Sequence, residues 1–455
     1  MGSTGDVFKA YDIRGTVPDQ LDATMCRAIG GAVARFTGAP RLLVARDMRP
    51  SGEELASAFA EGARAEGTAV TDLGMGSTDF LYFASGYLDA PGAMFTASHN
   101  PAAYNGIKLC LSGARPIGRD TGLAEIEALT NQFMADPPAV GELAPLEHRD
   151  LLEDYAEHVR SFVDVGSLRP LKIVADTANG MGGLVVPLVT KALPFDVEIL
   201  FPELDGTFPN HPADPIQPEN QVDLKAAVLA AGADVGLAFD GDADRVFLVD
   251  ERAEPVSGSL TTALVAASML DKHPGATVLY NLICSHVVPE VIAEHGGTGI
   301  RTRVGHSFIK QVMAESGAVF GGEHSGHYYF RDNYRADSGI ITALVVLELM
   351  SRSDQPLSAL LDPYRRYADS GEVNTEVADP AASVEAVAAH EASGDGRIDR
   401  LDGLTVDHGD WWYNLRPSNT EPLLRLNVEA RTDEECAARV DEVLDLVRRL
   451  APSGG

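Results

Sequence analysis

Three aspartates at alternate positions, Asp240, Asp242 and Asp244, are the strongest candidates for chemistry in this sequence. They lie between two apolar runs, Val235–Phe239 and Val246–Val249, whose composition is typical of buried strands. Three carboxylates this close together repel one another unless a divalent cation neutralises them, and an all-oxygen ligand set suits Mg²⁺. The spacing therefore predicts a metal-binding loop, with a hairpin turn carrying solvated aspartates as the simpler alternative.

Two other protein classes use a similar aspartate spacing. Asp240, Asp242, Asp244 and Glu251 coincide with ligand positions of an EF-hand calcium loop. Arg245 stands where that loop needs a glycine, and the flanks resemble strands instead of helices, so an EF-hand is excluded. An apolar strand followed by DxD is also typical of aspartyl phosphatases, in which Asp240 would be the nucleophile. That alternative stays open at the level of the sequence.

A second polar turn, Thr96–Pro101, follows an apolar strand-like run and contains a candidate nucleophile, Ser98. His99 is its neighbour, but adjacent side chains on an extended segment point to opposite sides. We therefore do not expect a serine–histidine relay from these two residues alone. Lys108, farther along the chain, is a cation that can return to the same site. An ordinary Asn-Pro turn is the alternative interpretation.

Two more loops contain polar groups that could bind a ligand. The segment GGEHSGHYYF places carboxylate, hydroxyl and imidazole groups where they can ligate a metal or hydrogen-bond a polyhydroxylated ligand: Glu323, His324, Ser325 and His327. The segment NLRPSNTEP is a cationic turn with the donors that a phosphate monoester needs: Arg416, Ser418, Asn419 and Thr420. Ordinary polar connections are the alternative for both.

The elements that must position these loops have the alternation of α/β layers. Strand-like runs at Arg41–Asp47 and Leu171–Asp176 each precede a turn and a helix-like segment, and ATVLYNLICS begins a third such unit. We expect Ser51 to cap the helix of the first unit. The last helix, TDEECAARVDEVLDLVRRL, is expected to have Thr432 or Asp433 as its cap.

The length of 455 residues implies roughly three domains, or four if some are small. The proline-rich segment Met134–Glu147 and the segment Asp250–Pro255 are candidate linkers. After Arg366 the chain becomes rich in alanine and acidic residues and then passes through a strand-like stretch into the last helix. This indicates a small final domain.

Charge and cysteine content exclude several classes of partner and site. With 36 basic and 67 acidic residues the net charge is −31, so the mean surface field repels nucleic-acid phosphates and we expect no nucleic acid partner. The 4 cysteines are scattered without a CxxC pair, which favours a reducing, cytoplasmic setting. We find no signal peptide pattern and no apolar stretch long enough to span a bilayer, so we expect no membrane association.

Five motifs, AYDIRG, TASHNP, DGDADR, GEHSGH and RPSNTEP, follow one another between Tyr11 and Pro422. In this order they closely resemble the α-D-phosphohexomutase family, the phosphomannomutases and phosphoglucomutases, over nearly the whole chain. The resemblance implies an α/β fold of three similar mixed-sheet domains and a smaller C-terminal α+β domain of TATA-binding-protein-like type, around a central cleft. The expected domains are residues 1–145 with the phosphoserine loop, 146–250 with the metal loop, 251–366 with the sugar-recognition loop, and 367–455 with the phosphate-binding loop.

The resemblance also implies roles for individual residues. The metal ligands are expected to be Ser98, as the phosphoserine, together with Asp240, Asp242 and Asp244. The catalytic residues are expected to be Ser98, Lys108, Arg14, His327 and Arg245. The substrate-binding residues are expected to be Tyr11, His306, Glu323, Ser325, Arg416, Ser418, Asn419 and Thr420. Bispecific bacterial members often present a lysine near Asn281–His286, where this chain has Leu282 and Ile283, so that contact is not carried over.

The implied activity is the interconversion of hexose 6-phosphates and 1-phosphates, with mannose preferred and glucose also accepted. Phospho-Ser98 would transfer its phosphoryl group, with Mg²⁺ as cofactor and glucose or mannose 1,6-bisphosphate as intermediate or activator. Lys108 and His327 are both candidates for the general acid/base, and the fourth domain is expected to close over the cleft. A monomer or weak homo-oligomer is expected. The alternatives are a phosphoglucosamine mutase, the Asp240 phosphatase, and a sugar-phosphate binding module without enzymatic activity.

Overall fold

Four β-sheets follow one another along the residues that the computed structural model describes, 4–137, 141–417 and 423–450. The first three sheets contain parallel and antiparallel strand pairs, whereas every pair in the fourth is antiparallel. The predicted α/β class, with three mixed-sheet units and a smaller α+β unit, is confirmed.

The first unit contains strands β1 (Ile13–Thr16), β2 (Arg41–Arg46), β3 (Ala69–Met75), β4 (Gly92–Phe95), β5 (Tyr104–Leu111), β6 (Arg115–Pro116) and β7 (Leu146–His148), with helices α1 (Thr4–Val7), α2 (Ala23–Thr37), α3 (Gly52–Ala65), α4 (Thr78–Leu88) and α5 (Leu123–Ala135). The strand order is β1-β5-β4-β2-β3-β7, with β6 paired to β5. Helices α2 and α3 pack closely because Gly30 and Gly62 face the opposite backbone. A Cβ on either glycine would come within 1.9 Å of a carbonyl oxygen.

The second unit contains β8 (Lys172–Asp176), β9 (Asp196–Leu200), β10 (Val235–Phe239), β11 (Val246–Asp250) and β12 (Pro255–Val256), with α6 (Leu152–Arg160), α7 (Gly182–Thr190) and α8 (Val222–Ala231). The third contains β13 (Thr277–Asn281), β14 (Thr298–Thr302), β15 (Phe320–Gly322) and β16 (Tyr328–Phe330), with α9 (Gly258–Lys272), α10 (Val287–Glu294), α11 (His306–Ser316), α12 (Gly339–Ser351) and α13 (Leu357–Leu361). One continuous apolar core joins these two units to one face of the first sheet.

The fourth unit contains β17 (Ala368–Glu376), β18 (Arg397–Asp399), β19 (Leu404–Asp407), β20 (Trp412–Pro417) and β21 (Leu423–Ala430), with α14 (Pro380–Glu391) and α15 (Asp433–Leu450). It has an apolar core of its own. Its buried Glu429 accepts hydrogen bonds from the backbone N–H of His286 at 2.9 Å and from Trp412 Nε1 at 2.8 Å. This carboxylate therefore attaches the fourth unit to the start of α10.

The N-cap residues predicted for two helices agree only partly with the structure. Thr432 Oγ1 accepts a hydrogen bond from the Glu435 N–H at 3.2 Å, which confirms Thr432 as the cap of α15. Ser51 does precede α3, but its hydroxyl makes no capping bond and instead accepts from Asn105 Nδ2 at 2.9 Å. The N-cap position is therefore as predicted, whereas the hydroxyl bonds to a neighbouring loop instead of to the helix.

The two candidate linkers contain ordered strand structure. The first begins within α5 and runs into β7, which pairs in parallel with β3. The second forms the turn of the β11–β12 hairpin, where Val249 pairs with Pro255. The predicted domain boundaries stay predictions. Among the described helices, none has both the length and the apolar composition needed to cross a membrane.

Candidate active site

The loops predicted to carry chemistry meet at the carboxyl ends of the central strands. The Ser98 loop follows β4, the aspartate loop joins β10 to β11, and residues 323–327 join β15 to β16. A Cβ on Gly241 would lie 2.4 Å from the Ser98 carbonyl oxygen, and Arg245 pairs with His327 in an antiparallel bridge. The loops border a cleft of about 1620 Å³ that residues of all four units line.

Ser98 is buried and has a left-handed backbone conformation, with φ of 50°. Its Oγ donates a hydrogen bond to Asp240 Oδ2 at 2.7 Å and lies 3.3 Å from His99 Nδ1. The expectation that the Ser98 and His99 side chains point apart is wrong, because it assumed an extended segment. The charge of Arg245, together with burial, holds the pKa of His99 well below its ordinary value, so the ring is neutral near pH 7.

The three aspartates form one buried cluster, with ligand oxygens within 4.8 Å of one another. Lys108 Nζ donates to Asp242 Oδ2 and to Asp244 Oδ2, each at 2.7 Å. Burial alone would raise the pKa of Asp242, but the Lys108 ammonium holds it well below its ordinary range. Although burial opposes the change, the two carboxylates raise the pKa of Lys108 well above its usual value.

The donor set fits a divalent cation. Asp242 Oδ1 and Asp244 Oδ1 are buried and accept no hydrogen bond from any residue in the described part of the chain. Carboxylate oxygens are the ligands that hard cations such as Mg²⁺ prefer, and Ser98 Oγ lies beside the same oxygen cluster. Asp240, Asp242 and Asp244 can therefore hold a metal ion, as the sequence predicts.

Arg245 connects the aspartate cluster to the cleft. Its Nε donates to Asp240 Oδ2 at 2.9 Å and its backbone N–H donates to Asp240 Oδ1 at 3.1 Å. Burial raises the pKa of Asp240 to about 7, although the charge of Arg245 opposes the shift. Because Arg245 also lines the cleft, its guanidinium is available to a bound anion.

His327 is held on one side by two carboxylates. Its Nδ1 lies 2.9 Å from Asp337 Oδ2 and 3.7 Å from Asp244 Oδ1. Asp337 Oδ1 in turn lies 2.8 Å from Nζ of Lys310, which is 2% exposed. Burial would lower the pKa of His327, but Asp244 and Asp337 raise it. Nδ1 is therefore the ring nitrogen that contacts these carboxylates.

Glu323 and Ser325 lie in the segment between β15 and β16, where the sequence predicts a sugar-recognition loop. Glu323 is 2% exposed, and its Oε1 accepts from Tyr329 Oη at 2.6 Å. Its Oε2 accepts from Asn281 Nδ2 at 3.3 Å and from Ser325 Oγ at 3.4 Å. Ser325 lines the cleft, so the Glu323 carboxylate is held in a fixed position directly behind a hydroxyl that a ligand can reach.

Arg416 lies on β20 and lines the cleft. Its Nη2 is 2.9 Å from Glu372 Oε2, and Arg425 Nη1 is 3.3 Å from Glu372 Oε1. Two guanidinium groups therefore share one carboxylate, which leaves one net positive charge on these three side chains. This arrangement suits an anion.

Tyr11 and Arg14 approach the cleft from the first unit. Tyr11 lines the cleft and packs edge to face on Phe308, with ring centroids 5.8 Å apart. Arg14 Nη1 donates to Asn100 Oδ1 at 2.5 Å, so it contacts the Ser98 loop. Ile283 also lines the cleft, as an apolar side chain in the segment from which the lysine contact was not carried over.

Four predicted site residues cannot be placed fully. His306 begins α11, but its side chain lies outside the described structure. The predictions for Ser418, Asn419 and Thr420 fall entirely outside the described residues. The described chain leads to that segment through Arg416 and Pro417, which both line the cleft.

Comparisons with known proteins agree with this arrangement. Four family models, each described as phosphoglucomutase/phosphomannomutase, match in order: alpha/beta/alpha domain I over residues 5–135, domain II over 153–254, domain III over 257–367, and the C-terminal domain over 372–446. The chain belongs to this family of hexose phosphate mutases.

Individual relatives match the chain over nearly its full length. "Phosphohexose mutases" from Xanthomonas campestris pv. campestris is 42% identical over 445 residues, covering 97% of this chain and 99% of that protein. A phosphomannomutase from Salmonella montevideo is 40% identical over 450 residues, covering 97% and 98%. The crystal structure of a phosphoglucomutase/phosphomannomutase family protein from Burkholderia thailandensis has a TM-score of 0.89 at 33% identity, covering 100% of this chain and 99% of that chain.

Sequence reasoning missed several residues that hold this mutase site together. Thr78 Oγ1 donates to Asp242 Oδ2 at 2.6 Å, and the Thr78 N–H donates to the Asp242 carbonyl oxygen at 3.0 Å. Asp337 contacts His327, and Glu372 contacts Arg416. Each is a single polar residue outside the five motifs. Each also has other polar residues close to it in the chain, so no local pattern in the sequence marks its role.

Proposed function

We propose that the protein is a phosphomannomutase/phosphoglucomutase that interconverts hexose 6-phosphates and hexose 1-phosphates through a phosphoryl group on Ser98. The observation that carries the proposal is the convergence of groups on one hydroxyl. Ser98 Oγ bonds to Asp240 at 2.7 Å, in a cluster where Lys108 and Arg245 contact the same set of aspartates. The printed names of the relatives support the same activity.

In the proposed reaction, phospho-Ser98 donates its phosphoryl group to the free hydroxyl of a hexose monophosphate. The bond between phosphorus and the Ser98 oxygen breaks, a bond to the sugar oxygen forms, and the sugar hydroxyl loses its proton to a base. The resulting hexose 1,6-bisphosphate turns end for end and returns its other phosphate to Ser98. Glucose or mannose 1,6-bisphosphate also acts as an activator, because it can rephosphorylate Ser98.

Asp240, Asp242 and Asp244 are the residues proposed to hold Mg²⁺, with Ser98 as the remaining protein ligand. When bound, Mg²⁺ supplies charge neutralisation at the phosphoryl oxygens. Arg245, which reaches from Asp240 into the cleft, and Lys108, which bridges two of the aspartates, add positive charge on the protein side. Phosphoryl transfer depends mainly on such positioning and electrostatic stabilisation.

His327 is the better candidate for exchanging the proton of the sugar hydroxyl. Lys108 Nζ donates to two buried carboxylates, whereas His327 contacts Asp337 through Nδ1 and would meet the sugar hydroxyl through Nε2. Arg14, through its bond to Asn100, supports the loop that carries Ser98. These roles are part of the proposal.

The substrate is proposed to extend from Ser98 to the arginine pair. Glu323 and Ser325 would bond the 3- and 4-hydroxyls, and Tyr11 and His306 would line the binding site. Arg416, with Ser418, Asn419 and Thr420, would hold the phosphate that is not reacting. Closure of the fourth unit over the cleft would exclude water, because otherwise phospho-Ser98 would be hydrolysed.

Peptide mass spectrometry of the protein after incubation with glucose 1,6-bisphosphate tests the identity of the phosphoryl carrier. The expected result is a phosphate on Ser98. Phosphate on Asp240 instead would support a Mg²⁺-dependent phosphatase.

A further inference from the structure

The guanidinium of Arg49 is enclosed by the loop that carries Ser98. Its Nη2 donates to the carbonyl oxygens of Ser98 at 2.8 Å and of Asn100 at 2.6 Å. Its Nη1 donates to the carbonyl oxygens of Pro101 at 2.9 Å and of Tyr104 at 2.8 Å. One side chain therefore holds four backbone carbonyls of a single loop.

Asp47 anchors this guanidinium from behind. Arg49 Nε lies 3.3 Å from Asp47 Oδ2, and the Arg49 backbone N–H donates to Asp47 Oδ1 at 2.9 Å. Both side chains are 0% exposed. Asp47 follows β2, and the Ser98 loop follows β4, its parallel neighbour. The two segments therefore leave the sheet at the same edge.

The second unit covers the remaining side of Arg49. The Phe208 ring centroid lies 5.2 Å from Arg49 Cζ, which is a cation–π contact. A Cβ on Gly206 would lie 2.6 Å from Arg49 Cα, so the covering segment is in close backbone contact. The hydrogen bonds between Arg49 and the Ser98 loop are therefore shielded from water on this side.

The shape of the Ser98 loop requires such a holder. Serine rarely adopts a positive φ, and strained conformations of this kind persist where surrounding contacts over-determine them. Carbonyl groups that turn inward also need donors, because a buried acceptor without one is costly. Arginine offers five N–H donors in one plane, whereas the lysine ammonium offers three from a single atom.

We propose that Arg49 is a positioning residue for phosphoryl transfer, which sets the direction of the Ser98 Oγ by holding the four carbonyls around it. The inference rests on the proposed role of Ser98 as phosphoryl carrier. Arg49 itself does not touch the substrate. Its loss should slow the chemical step more than it weakens substrate binding.

The test compares Arg49→Lys with Arg169→Ala, a control that also removes arginine–carbonyl hydrogen bonds. In this case the bonds are to Met350 and Ser353, which are not among the residues that line the cleft. Mass spectrometry measures the phosphoserine content of each protein. Rapid-quench experiments measure the rate of phosphoryl transfer to hexose monophosphate, and this rate is divided by the phosphoserine content. We expect Arg49→Lys to transfer about 100-fold more slowly, with KM within about threefold of the parent, because a displacement of about 1 Å costs rate on this scale. Arg169→Ala should transfer at the parent rate.

An unchanged transfer rate per phosphoserine in Arg49→Lys would overturn the inference, even if the variant were less stable. A purely structural role predicts that pattern: lower thermal stability and fewer competent molecules, each reacting at the normal rate. If the parent protein carries no phosphate on Ser98, the proposed function fails instead. The two failures are therefore distinguishable.

Asp47→Asn serves as a milder variant that preserves side-chain volume if Arg49→Lys does not fold. It weakens the anchor of Arg49, so transfer per phosphoserine should fall by about tenfold, and amide hydrogen exchange should accelerate in residues 98–104. Equal transfer rates and unchanged exchange in Asp47→Asn would contradict the positioning role.

Discussion

Lys108 Nζ lies 2.7 Å from Asp242 Oδ2, so a cation from the first unit is bonded to a carboxylate of the second. The same ammonium is 2.7 Å from Asp244, and the opposite oxygens of the two aspartates accept no hydrogen bond from the described residues. One face of the aspartate cluster is therefore bonded to the protein and the other can accept a metal ion. This asymmetry explains how a lysine and a metal ion can share one acidic cluster.

Asp242→Asn should lower metal affinity and turnover by on the order of 100-fold, because it removes one ligand charge and weakens the partner of Lys108. Activity titrations with Mg²⁺ before and after treatment with a chelator measure the effect. Asp223→Asn, an exposed change on α8, is the matched control. Full activity of the parent protein in excess chelator would refute the metal role.

Arg416→Ala should raise KM by about 10- to 150-fold, corresponding to about 1.5–3 kcal/mol for a charge-assisted contact. The change in kcat should be smaller, since Arg416 lies at the end of the cleft opposite Ser98 in the proposed complex. Steady-state kinetics with mannose 1-phosphate measure both constants. Arg397→Ala is the control, because the Arg397 side chain is 83% exposed in the parent. An unchanged KM for Arg416→Ala would contradict the assignment of Arg416 as a phosphate-binding residue.

The Glu372 carboxylate competes with substrate phosphate for Arg416, so Glu372→Gln should lower KM for the same substrate. The neutral amide keeps the volume of the side chain and releases one guanidinium contact. A decrease of about threefold to tenfold is expected, as for a partly exposed ion pair. An increase in KM would show that Glu372 orients Arg416 for phosphate.

Mannose and glucose phosphates should have kcat/KM values within about two orders of magnitude, with mannose preferred. The two sugars differ only at C2, whereas Glu323 and Ser325 are proposed to bond the 3- and 4-hydroxyls. A substrate that binds in two flipped orientations cannot easily be recognised at C2. Parallel assays of mannose, glucose and glucosamine phosphates test this. Undetectable turnover of glucose 1-phosphate would contradict it, and turnover of glucosamine 6-phosphate alone would identify a phosphoglucosamine mutase.

The contribution of Asp79 to the free energy of unfolding should fall as the pH rises from about 4 to about 6. Burial raises the pKa of Asp79 to about 6, although hydrogen bonds from Ser338, Ser77 and Tyr155 oppose the shift. The unfolded carboxyl has a pKa of about 3.9, so the native state binds more protons than the unfolded state in this interval. Raising the pH therefore removes the stabilisation that protonated Asp79 contributes at low pH.

Asp79→Asn should therefore make the free energy of unfolding less dependent on pH. Across the interval, the change in this free energy should be smaller than in the parent by on the order of 2–3 kcal/mol. Asp47, whose pKa burial also raises to about 6, keeps part of the dependence. Urea titrations at several pH values measure the slope, with the exposed Asp354→Asn as control. An identical slope in Asp79→Asn and the parent would contradict the assignment.

Local features of the site could be predicted from the sequence because they depend on neighbours in the chain. The aspartates lie between β10 and β11, whose bounds nearly coincide with the predicted apolar runs, and Thr432 caps α15. The smaller final unit was predicted from the change in composition after Arg366, and the mixed sheets followed from the family resemblance. In each case short-range chemistry or a continuous motif carried the information.

The remaining features depend on contacts between distant segments. The Lys108–Asp242 bond joins residues 134 positions apart, and Arg49 reaches Ser98 across 49 positions. The positive φ of Ser98, which turns its hydroxyl toward Asp240, results from packing that no local pattern in Thr96–Pro101 reveals. Ser51 shows the same effect, since Asn105 takes the hydroxyl that would otherwise cap α3.

The most direct test of the account uses protein carrying a radiolabelled phosphoryl group, mixed with unlabelled mannose 1-phosphate in a single turnover. We expect the label to leave Ser98 and appear in mannose 1,6-bisphosphate and mannose 6-phosphate, while Ser98→Ala takes up no label and has no turnover. Release of the label mainly as inorganic phosphate, or full activity of Ser98→Ala, would contradict the account.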